Sequence, residues 1–124
     1  MSIIPEFLMK RIYKKGSLEQ TDDGVKFDLK NVLGPGFISG FILVKINDAV
    51  FGADKVKFLT QGTEIPAETV SEENPISFRL GQEGTLILQG AKCLQEGINQ
   101  IIIELVNPEA GKVRLSLSDS FKVA

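Results

Sequence analysis

Apolar and polar residues alternate with a period of two along much of this chain. The alternation is clearest in the segments 25–29 (VKFDL), 76–80 (ISFRL) and 113–118 (VRLSLS). Because neighbouring side chains of a β-strand point to opposite faces, each segment predicts a strand with one apolar and one polar face. Sheets built from such strands can bury their apolar faces against each other. The pattern therefore predicts an all-β fold, a two-layer antiparallel β-sandwich.

Turn-forming residues separate the alternating segments at regular intervals. Residues 22–24 (Asp-Asp-Gly) predict a hairpin turn in which Gly24 takes a positive φ. Residues 107–111 (NPEAG) predict a second hairpin loop before the last strand. This spacing predicts about eight strands in an immunoglobulin-like or jelly-roll-like arrangement.

The strand predicted over residues 37–46 is apolar on both faces. Strict alternation places Phe41 and Leu43 on one face, and Ile42 and Val44 on the other. One face of a sandwich strand normally meets water, so the second apolar face needs a cover from elsewhere in the chain or from another subunit. The residues expected at such an interface are Phe37, Phe41, Ile42, Leu43 and Val44.

The segment before residue 13 allows two interpretations. Pro5 fits the first turn of a short helix that runs through Phe7, Leu8 and Ile12. The same residues also fit an edge strand. Either element can cover the doubly apolar strand within one chain, and otherwise a partner chain is required.

Length and composition narrow the class of protein. A chain of 124 residues with 43% hydrophobic and 24% charged residues predicts one globular domain, residues 1–124. The net charge of −2 is too small to attract nucleic acid or an anionic membrane to the whole surface.

The sequence favours a cytoplasmic protein. It has a single cysteine, Cys93, and residues 1–6 do not resemble the start of a secretory signal. No segment reaches the roughly 20 apolar residues of a membrane helix.

Histidine is absent from the sequence, which removes the commonest general base and metal ligand. One cysteine cannot complete a structural zinc site. Cys93 is expected to be a small, partly buried apolar side chain. The acidic pairs at residues 22–23 and 72–73 are expected to serve a turn and a solvated connector. No catalytic residue, cofactor site or metal site is therefore expected.

Two polar residues are candidates for a site in a cleft between the sheets, namely Tyr13 and Arg79. Tyr13 lies in the one concentrated basic segment, residues 10–15 (KRIYKK). Such a segment can contact nucleic acid, but lysines also protect a solvated strand edge. The rest of the chain is net acidic, so nucleic acid is not expected as a partner.

Residues 15–41 (KGSLEQTDDGVKFDLKNVLGPGFISGF) carry a family resemblance. A Gly-Ser-Leu, an Asp-Gly hairpin and an alternating Phe/Leu strand ending near Lys-Asn resemble the start of a group of small prokaryotic proteins. Some members carry the label hydroxymethylglutaryl-CoA reductase. The reductases themselves are several times longer, with a catalytic histidine and a nicotinamide-binding domain. The resemblance therefore implies a small β-sandwich and not the reductase activity.

Residues 24–27 (GVKF) and their context are also similar to the small β subunit of bacterial C-glycoside deglycosidases. That subunit is a β-sandwich that accompanies a larger catalytic barrel. The tyrosine- and arginine-rich segment of that family is replaced here by residues 31–36 (NVLGPG). This resemblance implies an accessory role beside an enzyme.

The sequence thus predicts a non-catalytic β-sandwich that acts through protein–protein association. The partner is either a second copy of the chain or a larger enzyme subunit. The alternative is a small ligand-binding or carbohydrate-related enzyme domain, with carboxylate, tyrosine and lysine side chains in a cleft.

Overall fold

A computed structural model describes residues 10–32, 36–90 and 93–122. These residues form eleven strands and three short 3₁₀ helices, which confirms the all-β class. The strands are β1 (Glu19–Gln20), β2 (Gly24–Lys30), β3 (Phe37–Ile38), β4 (Gly40–Ile46), β5 (Ala49–Gly52), β6 (Val56–Thr60), β7 (Thr63–Pro66), β8 (Ile76–Ser77), β9 (Glu83–Gln89), β10 (Gly97–Asn107) and β11 (Gly111–Phe121). The 3₁₀ helices are Lys10–Ile12, Ala53–Lys55 and Ala67–Thr69. The described strands outnumber the predicted eight partly because Ser39 divides the strand predicted over residues 37–46 into β3 and β4.

The strands form two main antiparallel sheets. A five-stranded sheet has the order β1-β2-β9-β6-β7, and a four-stranded sheet has the order β11-β10-β4-β5. The short strands β3 and β8 pair with each other. Phe41 of the four-stranded sheet and Phe58 of the five-stranded sheet lie with ring centroids 6.0 Å apart, so the sheets face each other across one core. This arrangement confirms the predicted antiparallel sandwich.

The alternating residues supply most of this core. On β2, Val25, Phe27 and Leu29 are at most 2% exposed, while Lys26 and Asp28 between them are half-buried. The same holds on β9, β10 and β11, whose fully buried apolar side chains are Leu86, Leu88, Ile101, Ile103, Val113 and Leu115. Burial of such side chains contributes roughly 1.5–3 kcal/mol each, which explains why this alternation dictates the fold.

The strand predicted over residues 76–80 is shorter in the structure. Strand β8 ends at Ser77, and Leu80 lies in a turn with 61% of its surface exposed. Gly81 has a φ of +83°, and the Gln82 N–H donates to the Arg79 carbonyl oxygen. The turn therefore begins before the alternation in the sequence ends, and only Ile76 and Phe78 reach the core.

The predicted division of β4 into two faces is wrong for two residues, Phe41 and Ile42. The pairing of β4 with β10 shifts register at Ile42, which forms a β-bulge. A bulge adds one residue to a strand and reverses the alternation beyond it. Phe41, Val44 and Ile46 consequently share the core side, while Ile42 is 38% exposed and Leu43 is half-buried.

The hairpin at residues 22–24 forms, but the predicted conformation of Gly24 is wrong. Gly24 is the first residue of β2, paired with Gln89, and its φ is not positive. A Cβ atom on Gly24 would overlap the carbonyl oxygen of Leu88 on β9. Glycine is required here because two backbones approach closely, a reason that local turn chemistry does not reveal.

The N-terminal segment has two predicted forms, a helix or an edge strand. Phe7 and Leu8 lie outside the described residues, and Lys10–Ile12 forms a single 3₁₀ turn. Tyr13 then makes a β-bridge with Leu29. Among the described residues, none belongs to a helix long and apolar enough to cross a membrane.

Candidate functional site

The side of the four-stranded sheet that faces away from the core carries an unusual number of apolar side chains. Register places Val50 of β5, Lys45 of β4, Ile102 of β10 and Ser116 of β11 in one row across this side. Val50 is 61% exposed and Ile98 is 56% exposed. We call this side the outer face. Its apolar members, the apolar strip, are Ile42, Leu43, Val50, Ile98, Ile102 and Val106.

Charged residues border the apolar strip on the β11 side. Glu104 pairs across the strands with Arg114, and its carboxylate lies 3.5 Å from the Lys112 ammonium. An apolar centre with a charged, solvent-accessible border is typical of protein–protein interfaces. The outer face therefore has the chemistry of a docking surface.

The five interface residues predicted from sequence separate in the structure. Ile42 and Leu43 lie on the outer face because the bulge turns both outwards. Phe41 and Val44 are 8% and 1% exposed and belong to the core. Phe37 is 51% exposed but lies on β3, which pairs with β8.

Four members of the apolar strip are not among the interface residues predicted from sequence, namely Val50, Ile98, Ile102 and Val106. The sequence does indicate Ile102. Residues 101–103 of β10 are three consecutive isoleucines, so apolar side chains must lie on both faces of that strand. Val50 gives no signal, because only its pairing with Lys45 shows which face it shares.

Tyr13 lies in a buried polar cluster that joins the start of the chain to its last strand. Its hydroxyl donates a 2.6 Å hydrogen bond to Asp119 Oδ2, which also accepts from the Gly16 N–H at 2.8 Å. The Ser120 N–H donates to Asp119 Oδ1 at 2.8 Å. Burial raises the pKa of Tyr13, and the hydrogen bond to the Asp119 carboxylate raises it further. Asp119 is not a candidate on sequence grounds, because its position gives no sign of this pairing.

Arg79, the other polar candidate, is exposed in the turn between β8 and β9. Its backbone N–H donates to the Gln82 side-chain oxygen at 2.8 Å. Tyr13, in contrast, is only 7% exposed and packs against Phe27 with ring centroids 5.5 Å apart. The structure thus places the two candidates in different environments.

A shallow polar concavity of about 240 Å³ lies on the solvent side of the five-stranded sheet. Its lining includes Lys14, Asp28, Glu83 and Thr85. The Lys14 ammonium lies 3.1 Å from Glu83 Oε1, and the Thr85 hydroxyl donates to Asp28 Oδ1 at 2.7 Å. The hydrogen bond between Lys14 and Glu83 raises the pKa of Lys14 and lowers that of Glu83. These side chains therefore have partners within the protein.

Cys93 is half-buried and packs against the core. Burial raises the pKa of its thiol, which disfavours the reactive thiolate. Over residues 10–32, 36–90 and 93–122, no group of three or more Asp, Glu, Cys or His side chains is placed to hold a metal ion.

Comparison with known proteins links the chain to a family. A family model described as hydroxymethylglutaryl-CoA reductase, N-terminal domain, matches residues 8–122. No curated protein matches the chain. The matched range includes every described strand, from β1 to β11. It confirms the family label suggested by residues 15–41, whereas the similarity to a deglycosidase subunit stays a prediction.

Proposed function

The chain belongs to the hydroxymethylglutaryl-CoA reductase N-terminal domain family, and on this basis we propose that it is a non-catalytic β-sandwich that associates with a larger enzyme chain. The outer face of the four-stranded sheet is the docking surface. The observation that carries this proposal is the apolar strip, which includes Val50 at 61% and Ile98 at 56% exposure.

The apolar strip contributes a hydrophobic driving force to association. Fully burying one large apolar side chain contributes roughly 1.5–3 kcal/mol. Ile42, Val50 and Ile98 have 38%, 61% and 56% of their surface left to bury. The three together therefore give about 2–5 kcal/mol before the entropic penalty of association. The charged border of Lys112, Glu104 and Arg114, with Lys45 inside the strip, supplies orientation rather than affinity. Together these groups suit a specific complex.

Two further observations support a larger enzyme as the partner. The family description names a domain of a reductase, so the family fold is associated with a larger catalytic protein. This chain has no histidine, which leaves it without the commonest acid–base group of its own.

The single cysteine supports the cytoplasm as the compartment. A ligand site in the polar concavity is the alternative function, ranked second because Lys14 and Glu83 pair with each other.

The test is to co-express the chain with the enzyme chains encoded next to it and to measure the affinity of any complex. Val50→Lys combined with Ile98→Lys is expected to weaken the complex by about 100-fold or more, since two charges would be buried at the interface. Light scattering after size exclusion detects the complex, and calorimetric titration gives its Kd.

Leu80→Lys is the matched control, because Leu80 is as exposed as Val50, at 61%, but lies in a turn away from the outer face. It is expected to leave the affinity unchanged. Equal losses for the control and the double variant would contradict the docking surface. Absence of any complex with a larger chain would contradict the accessory role.

A further inference from the structure

Strand β11 is the longest edge strand of the sandwich. It has eleven residues, Gly111–Phe121, whereas the other edges of the two main sheets, β1, β5 and β7, have two, four and four. Strand β7 also ends in Pro66, which has no N–H to offer. Within the part of the chain that the structure describes, β11 makes its backbone–backbone hydrogen bonds with β10, and the Ser120 N–H also donates to the Asp119 side chain.

Proteins usually protect an edge strand of this length with charged residues, proline or a covering segment, because its free N–H and C=O groups can pair with a strand of another molecule. The first half of β11 carries Lys112 and Arg114, whereas residues 115–120 (LSLSDS) contain no lysine or proline and only one charged residue, Asp119, which is buried against Tyr13 and Gly16. On the core side, Val113 and Leu115 are at most 2% exposed, while Leu117 is only half-buried. The part of Leu117 that the core leaves uncovered therefore lies beside the backbone edge of β11, while Asp119 beyond it is bound by Tyr13 and Gly16.

We infer that β11 pairs antiparallel with β11 of a second copy of the chain, about a two-fold axis at Ser116. Ser116 is the midpoint of Gly111–Phe121, so this register pairs all eleven residues of each strand. It also places Leu115 beside Leu117 of the second copy, which covers the half-buried side chain. The two four-stranded sheets become one continuous eight-stranded sheet.

The charges of β11 disfavour several other registers, and strand length decides against an axis at Leu115, which would keep the cations apart but pair only residues 111–119. An axis at Ser116 places Lys112 opposite Ser120 and Arg114 opposite Ser118, so that each cation faces a neutral residue. An axis at residue 113 or 114 would bring these cations opposite one another, and an axis at residue 117 would place Lys112 opposite Lys122. Like charges directly opposite each other on paired strands are destabilising.

This self-association goes beyond the proposed function and does not depend on it. The edge of the sheet is used for the second copy, which leaves the outer face of each copy free for a larger chain. A homodimer that binds no enzyme chain would support the β11 pairing and contradict the docking proposal. A monomer that binds an enzyme chain would do the reverse.

The test is cysteine cross-linking of the full chain, with Cys93→Ser as the background. Directly opposed residues of antiparallel strands have Cα atoms about 4.5 or 5.5 Å apart, within the disulfide range. Ser116→Cys is therefore expected to form a disulfide-linked dimer under mild oxidation. Ser118→Cys is the control, because its equivalent in the second copy lies four residues further along, roughly 13 Å away. We expect at least tenfold more cross-linked dimer from Ser116→Cys.

A second variant tests the dimer without a cross-link. Ser116→Asp places two carboxylates opposite each other on the axis and is expected to convert the dimer to a monomer of 13.6 kDa, with an unchanged far-ultraviolet circular dichroism spectrum. Light scattering measures the mass. A monomeric parent protein, equal cross-linking by the two cysteine variants, or a dimer unaffected by Ser116→Asp would each overturn the inference.

Discussion

Replacing Gly24 by alanine is expected to lower the free energy of unfolding by about 3 kcal/mol or more. The new Cβ would overlap the carbonyl oxygen of Leu88, a backbone atom that cannot rotate away as a side chain can. Gly24 opens the pairing of β2 with β9, in which Val25 lies opposite Leu88. Relief of the overlap requires the two strands to separate at the centre of the five-stranded sheet. Urea unfolding followed by circular dichroism measures the loss.

Gly62→Ala is the control for this substitution. Gly62 has a φ of +76° but no atom within 4 Å of the position a Cβ would take. Its replacement therefore brings conformational strain without a collision, roughly 1–2 kcal/mol. If Gly24→Ala proves no more damaging than Gly62→Ala, the close approach of the two backbones is not the reason for glycine at position 24.

Replacing Asp119 by alanine is expected to destabilise the fold by about 3 kcal/mol. The Asp119 carboxylate is 3% exposed and accepts hydrogen bonds from the Tyr13 hydroxyl and the Gly16 N–H through the same oxygen. Without it, two donors are left unsatisfied next to the core, and the N-terminal segment loses its attachment to β11. Urea unfolding again gives the change, with Glu72→Ala as the exposed acidic control, expected within about 0.5 kcal/mol of the parent.

The Tyr13–Asp119 pair also predicts a loss of stability in alkali. Because burial and Asp119 raise the pKa of Tyr13 in the folded state, its hydroxyl contributes stability below the unfolded-state pKa of about 10. Above that pH the unfolded chain loses the proton first, and stability falls by up to about 1.4 kcal/mol per pH unit until the folded-state pKa is reached. Tyr13→Phe is expected to remove this component of the pH dependence.

The titration of Tyr13 can be observed directly, since it is the only tyrosine and the chain has no tryptophan. Tyrosinate absorbance is expected to rise at a higher pH in the folded protein than in urea. In the folded Asp119→Asn variant, Tyr13 is expected to titrate at a lower pH than in the folded parent protein. Identical titration curves for folded and unfolded protein would show that the Tyr13 hydroxyl is neither buried nor paired with a carboxylate.

Alternation in the sequence determined the class of fold and much of its core. Segments 25–29 and 113–118 predict strands, and Val25, Phe27 and Leu115 are buried as expected. This succeeds because the period of two is a local property, and burying one face of each strand dominates the energetics of a sandwich. The absence of histidine likewise narrows the available chemistry, because composition is independent of how the chain folds.

Tertiary structure alone decided the details of the candidate site. The bulge at Ile42 depends on a register shift against β10, and the requirement for glycine at position 24 depends on the carbonyl oxygen of Leu88. Tyr13 and Asp119 meet across 106 positions in the chain. In each case the deciding contact comes from a residue distant in sequence, and a local pattern carries no information about which distant backbone or side chain will lie opposite.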